Sequence, residues 1–153
     1  MLLFAASYDG QGAVATQAGK DYRKYADDAQ FEATTLIRFG RFDEVLELDH
    51  RPKGGASAAI YDFAKGYAML KSGSLRDARG TLATLQDYAA TTDDKIRFHP
   101  AKNVVGVLVN ILAGEIQLTE GQTEAAIESF ELAVALEDSL DYDEPEPLPF
   151  AAR

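Results

Sequence analysis

The chain has 153 residues, 46 % hydrophobic and 26 % charged, which suits one globular unit or one piece of a larger array. It carries a formal net charge of −10 and no cysteine, which excludes disulfides and thiol chemistry. There is no uninterrupted run of about 18 apolar residues, and MLLFAASYDG lacks the basic region of a secretory leader, so a cytoplasmic protein without a membrane span is expected.

Residues 1–25 read as a partial unit, with Gly10 as its pivot and Ala15 as the small residue after it. The stretch GQGAVA (10–15) also satisfies the loose dinucleotide pattern G-x-G-x-x-A. That pattern needs a strand before it, a helix after it and an acid about 20 residues on. Asp28 and Glu32 lie near that distance, but three residues separate the apolar run from Gly10, and no later strand–helix alternation supplies a parallel sheet. A turn with a helix-ending glycine explains the same residues. A small-molecule or nucleotide site at Gly10 and Gly12 is the alternative reading.

Residues 26–56 form the first full unit and its connector. FEATTLIRFGRFDEVLEL turns at Gly40, with Ala33 before it and Val45 after it, and DHRPKGG follows. Residues 57–92 form the second unit around Gly73. Ile60, Phe63, Ala64, Tyr67 and Ala68 follow the i, i+3, i+4, i+7, i+8 spacing of a helix face. SLRD (74–77) fits a helix start, with Ser74 as cap and Asp77 near the positive end.

Residues 93–140 form the third unit, with an insertion of about fourteen residues relative to the 33-residue step from Gly40 to Gly73. Pro100 suits a first helical turn. NVVGVLVNILAG (103–114) is apolar nearly all round and rich in β-branched residues. A strand fits that composition, and a buried helix feeding the repeat after it fits as well. Residues 141–153, DYDEPEPLPFAAR, read as an acidic, proline-broken link that opens a further helix, or as a tail covering an open end.

Charge is unevenly placed along these units. Residues 1–76 hold ten bases and ten acids, whereas 77–153 hold five and fifteen, and eleven acids lie between Lys102 and Arg153 without a Lys or Arg among them. That half would repel a phosphate backbone and attract a basic peptide, so nucleic acid is not an expected partner.

The three units superpose on their glycines. Gly66 falls on Gly114, Gly73 on Gly121, Ala78 on Ala126, Leu82 on Phe130 and Leu85 on Ala133. Glycine ends the first helix because the residue after the last turn often needs positive φ. Small residues let two helices approach. The pattern resembles the tetratricopeptide repeat family over roughly residues 26–140. Gly66, Gly73, Ala78, Gly114, Gly121, Ala126 and Phe130 stand at family positions, and Gly40 is the corresponding pivot. Leu82 replaces the family's aromatic, Val45 its alanine, and the closing proline is missing, so the repeats are degenerate. The resemblance implies an all-α fold of antiparallel helix–turn–helix repeats stacked as a short right-handed α-solenoid.

It also implies a concave face made by the first helices. The outward places there are Gln30, Thr34, Ile37 and Arg38, then Ile60, Phe63, Tyr67, Leu70 and Lys71, then Leu108, Ile111, Glu115, Leu118 and Thr119. Of these, Thr34, Ile37, Arg38, Phe63, Tyr67, Lys71, Glu115 and Thr119 are the candidate partner contacts. The family's Lys/Asn/Arg carboxylate clamp is absent, so a peptide or protein segment with apolar anchors is expected.

No residue set points to catalysis, a cofactor or a metal. His50 and His99 lack a partner histidine at metal-ligand spacing. Asp141, Asp143 and Glu144 lack the glycine and spacing of a calcium loop. Tyr61 and Lys65 stand four apart, as in short-chain dehydrogenases, but Leu48 occupies that family's serine position. The expectation is a non-catalytic interaction scaffold, with self-association through open array ends as a further outcome.

Overall fold

A computed structural model of the chain describes residues 1–152. It is 70 % helical, with eight helices and one two-stranded sheet among the described residues. The helices are α1 (Leu2–Tyr8), α2 (Gly12–Ala26), α3 (Gln30–Arg38), α4 (Phe42–Glu47), α5 (Gly55–Lys71), α6 (Leu75–Thr91), α7 (Ala101–Thr119) and α8 (Thr123–Asp138). The strands β1 (Lys95–Ile96) and β2 (His99–Pro100) form an antiparallel ladder just before α7. The expected all-α fold has no strands at these positions. The inserted residues close this small ladder because Arg97, at φ 58, turns the chain between its strands.

The four glycine pivots are one repeated joint. Gly10, Gly40, Gly73 and Gly121 have φ of 75, 69, 88 and 77. In each, the glycine N–H donates to the carbonyl three residues back, and the next N–H donates to the carbonyl five back. At Gly121 these bonds reach Leu118 (3.0 Å) and Gln117 (2.9 Å), and at Gly73 they reach Leu70 (3.0 Å) and Met69 (2.8 Å). This paired closure satisfies carbonyls that the helix end leaves open. Ser74 does take the N-cap place of α6, but its hydroxyl makes no capping bond. Its carbonyl accepts from Asp77 and Ala78 instead.

No neighbouring atom lies within 4 Å of a side chain added at Gly121. Gly121→Ala is therefore expected to cost about 1–2 kcal/mol through left-handed backbone strain alone. Gly80 lies on the exposed face of α6 with equally open surroundings. There Gly→Ala is expected to stabilise by about 0.4–1 kcal/mol, because the helix suits alanine. Urea unfolding of the two variants should give opposite signs.

The helices form four hairpins, α1/α2, α3/α4, α5/α6 and α7/α8. Each first helix after α1 also touches the second helix of the hairpin before it, and α3 touches α5 as α5 touches α7. Small residues sit at these joints. Ala33, Gly66 and Gly114 are buried on first helices, and Ala15, Val45, Ala78 and Ala126 are fully buried on second helices.

Residues 103–114, left between helix and strand by sequence, are helical within α7. The 19 residues of α7 include a window of mean hydropathy 1.2, apolar and long enough to cross a membrane by composition. In this fold α7 is the central core helix. Val104, Val105, Val107, Leu108 and Leu112 are fully buried, and α5, α6 and α8 cover it.

Candidate functional site

The first helices α3, α5 and α7 line a hollow of about 330 Å³. Ile37 and Arg38 come from α3, Phe63 and Tyr67 from α5, and Ile111 and Glu115 from α7. Phe63 and Ile111 stand ten residues before their turn glycines, and Tyr67 and Glu115 six, so α5 and α7 contribute from equivalent turns, whereas Ile37 and Arg38 stand three and two before Gly40. Phe130 of α8 also reaches the hollow, over Gly114. Phe63 and Tyr67 give the hollow an aromatic wall, with ring centroids 5.9 Å apart, and Phe42 supports Tyr67 from outside it at 6.1 Å.

One rim is a polar group of three. The Tyr67 hydroxyl is 3.1 Å from Glu115 Oε1, and Lys71 Nζ is 2.6 Å from Glu115 Oε2. The ammonium also lies 5.1 Å from the centre of the Tyr67 ring. Burial works against the Lys71 charge, but Glu115 and Tyr67 outweigh it and raise the ammonium pKa. Burial and then Glu115 raise the Tyr67 phenol. Arg38 also lines the hollow; its Nε donates to the Ser7 carbonyl at 3.0 Å, and its guanidinium lies 5.1 Å from the Tyr8 ring centre. The hollow thus combines apolar walls with a cation held by α1 and an ion pair between α5 and α7.

The chain's own tail crosses this face. Residues 141–152 contain no helix, in contrast to the expected helix opening. Asp143 is gripped by Arg97 Nη1 at 2.7 Å and His99 Nε2 at 3.2 Å. Arg97 Nη1 also donates to the Pro145 carbonyl at 3.0 Å. Glu146 accepts from the Tyr8 hydroxyl at 2.5 Å. Leu148 is buried in the core, and the Phe150 ring lies 6.1 Å from that of Phe63 at an interplanar angle of 30°. The Ala152 N–H donates to both Glu137 oxygens at 3.1 Å. Phe150, Ala151 and Ala152 therefore form part of the wall of the hollow.

Of the eight candidate contacts, five line the hollow: Ile37, Arg38, Phe63, Tyr67 and Glu115. Lys71 joins them through Glu115. Thr119 is exposed one turn beyond Glu115, and its hydroxyl donates to the Glu115 carbonyl. Thr34 is fully buried and donates to the Gln30 carbonyl at 2.9 Å, so in this fold it faces the packing and not a partner. Phe63 is also almost fully buried, because Phe150 stacks over it.

The eleven-acid stretch is not an open anionic surface throughout. Glu115, Glu120 and Asp143 pair with Lys71, Arg79 and Arg97, so bases of earlier units neutralise it locally. Exposed acids remain on α8 at Glu124, Glu128 and Glu131.

Tyr61 and Lys65 tie down the end of α4. The Tyr61 hydroxyl donates to the Leu48 carbonyl at 2.8 Å, and Lys65 Nζ donates to the Leu46 and Leu48 carbonyls at 2.9 and 2.6 Å. A cation suits the negative end of so short a helix. Burial, and then the Asp62 and Asp49 charges, push the Tyr61 phenol up to about 12. The unfolded chain ionises at about 10, so this contribution to stability is complete below that pH and is lost as pH rises through about 12. Phenolate absorbance should show a late-titrating tyrosine that Tyr61→Phe removes. A difference titration centred near 10 would contradict the buried contact.

Gly10 and Gly12 join two helices, α1 and α2, so the strand–turn–helix frame of the dinucleotide pattern is not formed. Gly12 is small because the Phe39 ring lies 2.9 Å from where a Cβ would stand. Among the described residues, no group of three or more His, Cys, Asp or Glu is arranged to hold a metal ion.

Compared with protein-family models, with curated proteins and with solved structures, the chain matches none of them.

Proposed function

We propose that the chain is a non-catalytic protein-interaction module. In this reading it is a degenerate tetratricopeptide-like array whose hairpins curve as a short right-handed solenoid. Its concave face, made by α3, α5 and α7, holds an extended peptide or protein segment. It works in the cytoplasm, without a cofactor.

The observation that carries this reading is the shared hollow. Six side chains from three successive first helices converge there around apolar walls, and a non-helical stretch of the chain's own backbone already lies against it. Extended segments with apolar anchors are a common ligand of such faces, because alternate side chains enter pockets while the backbone stays open.

Peptide display against the intact protein tests the reading. Selected peptides should bind saturably and without turnover, and Ile111→Glu should weaken them at least about tenfold by setting a carboxylate in the apolar wall. Peptides insensitive to Ile111→Glu would contradict the concave face. A thermal shift by NAD or ATP would favour the small-molecule alternative at Gly10 and Gly12. Gly12→Val is not a clean control for that result, since it would clash with Phe39.

A further inference from the structure

We infer that the concave face selects an acidic, proline-containing segment with an aromatic anchor, and that residues 143–152 are its built-in occupant, which a partner must displace. This rests on the concave-face reading above and adds the chemistry of the ligand.

The tail shows what the face accepts. A carboxylate, Asp143, enters the fork made by Arg97 and His99. An aliphatic side chain, Leu148, enters the core between two prolines, Pro147 and Pro149. An aromatic ring, Phe150, covers Phe63. None of these features depends on covalent attachment to α8, so a separate chain of the same chemistry meets the same groups. The prolines remove backbone donors that would otherwise need partners, and their fixed φ restricts the segment before it binds.

The face is also built to release the tail. Asp141 and Tyr142 are exposed between the end of α8 and the Asp143 clamp. A 330 Å³ hollow stays open beside Phe150 and Ala152, giving an incoming segment a place to start. The clamp is cationic, so this face favours an acid on its partner, even though the half of the chain that bears it is acidic overall.

The protein has no tryptophan, so Phe150→Trp supplies a single reporter. The probe is a synthetic peptide of residues 141–152, added to the full-length variant. The expected result is a red shift of emission as the ring leaves Phe63 for water. A tethered occupant acts at an effective concentration of order mM, so displacement from the otherwise native chain should need a comparable excess. Adding Asp143→Asn to the chain should lower that requirement at least about tenfold. A peptide carrying Phe150→Ala should not displace the tail.

If the tryptophan is already exposed before any peptide is added, full-length Phe150→Ala and a fluorescent peptide replace it. Anisotropy should then show saturable binding at least about tenfold tighter than to the unaltered protein. Equal displacement by the Phe150→Ala peptide, or no binding to either variant, would overturn the inference. If display selects peptides of other chemistry on the Ile111 face, this inference fails and the concave-face reading stands. If no selected peptide responds to Ile111→Glu, the concave-face reading itself fails.

Discussion

Replacing Leu112 with alanine is expected to destabilise the protein by about 2–5 kcal/mol. Leu112 is fully buried in the middle of α7. One of its methyl carbons comes within 3.3 Å of where a Cβ on Gly66 would stand, so it fills the space that glycine opens between α5 and α7. Removing it deletes dispersion contacts and leaves a cavity walled by helices already held at close approach. Those helices cannot collapse without breaking their joints to α6 and α8. Leu132, exposed on α8, is the control, and alanine there should change stability by no more than about 0.5 kcal/mol. Urea unfolding followed by helical circular dichroism gives both values. Similar small losses at the two positions would mean that α7 is not the centre of the core.

The second large effect is expected at Gly114. A Cβ at this position would lie 2.6 Å from Phe130 Cε1, with two more ring carbons within 2.9 Å. Gly114→Val should cost about 1–3 kcal/mol or more, because the ring must leave its place between α7 and α8. The cost should be coupled to its cause. In the background Phe130→Leu, where the ring is absent, Gly114→Ala should be at least about 1 kcal/mol milder than with Phe130 present. Additive effects would show that Gly114 is small for some other reason. The same logic applies at Gly66, where an added Cβ would meet Thr81 Cγ2 at 2.7 Å.

These two positions show why much of the fold was legible in the sequence. Gly66 and Gly114 stand seven residues before their turn glycines, and Ala78 and Ala126 five after. A short turn with positive φ allows few residues, and close helix contact allows few sizes, so both constraints leave marks that survive repetition. The first hairpin was harder to read. There Leu3 stands at the place of Gly66, and Gly19 at the place of Phe130. Gly19 instead admits the backbone of Glu32, 2.9 Å from where its Cβ would be. Size at a joint is set by whichever neighbour arrives, so a different neighbour erased the pattern.

The site was legible in part, for a related reason. Ile37 stands three residues before Gly40, but Phe63 and Ile111 stand ten before their turn glycines and Tyr67 and Glu115 six, so repeat register brings those pairs together. Thr34 shares that register but is buried, because its hydroxyl is satisfied inside α3 by the Gln30 carbonyl. Nothing periodic announced the tail. Asp143 meets His99 and Arg97 across 44 and 46 residues, and such pairings follow from tertiary geometry alone. The available hint was local: PLPF places two apolar side chains on a stiff, donor-poor backbone, at odds with the acidic link around it. The same placement explains why a basic partner was expected from charge totals, while the clamp at this face is itself basic.

The account centres on the claim that α3, α5 and α7 hold an extended segment in competition with residues 143–152. Amide hydrogen exchange of the intact protein, with and without a display-selected peptide, tests it most directly. The predicted result is faster exchange at the non-proline amides of 143–152, together with slower exchange along the first-helix face from Ile37 to Glu115. Protection confined to the outer face of α8, with exchange in the tail unchanged, would contradict it.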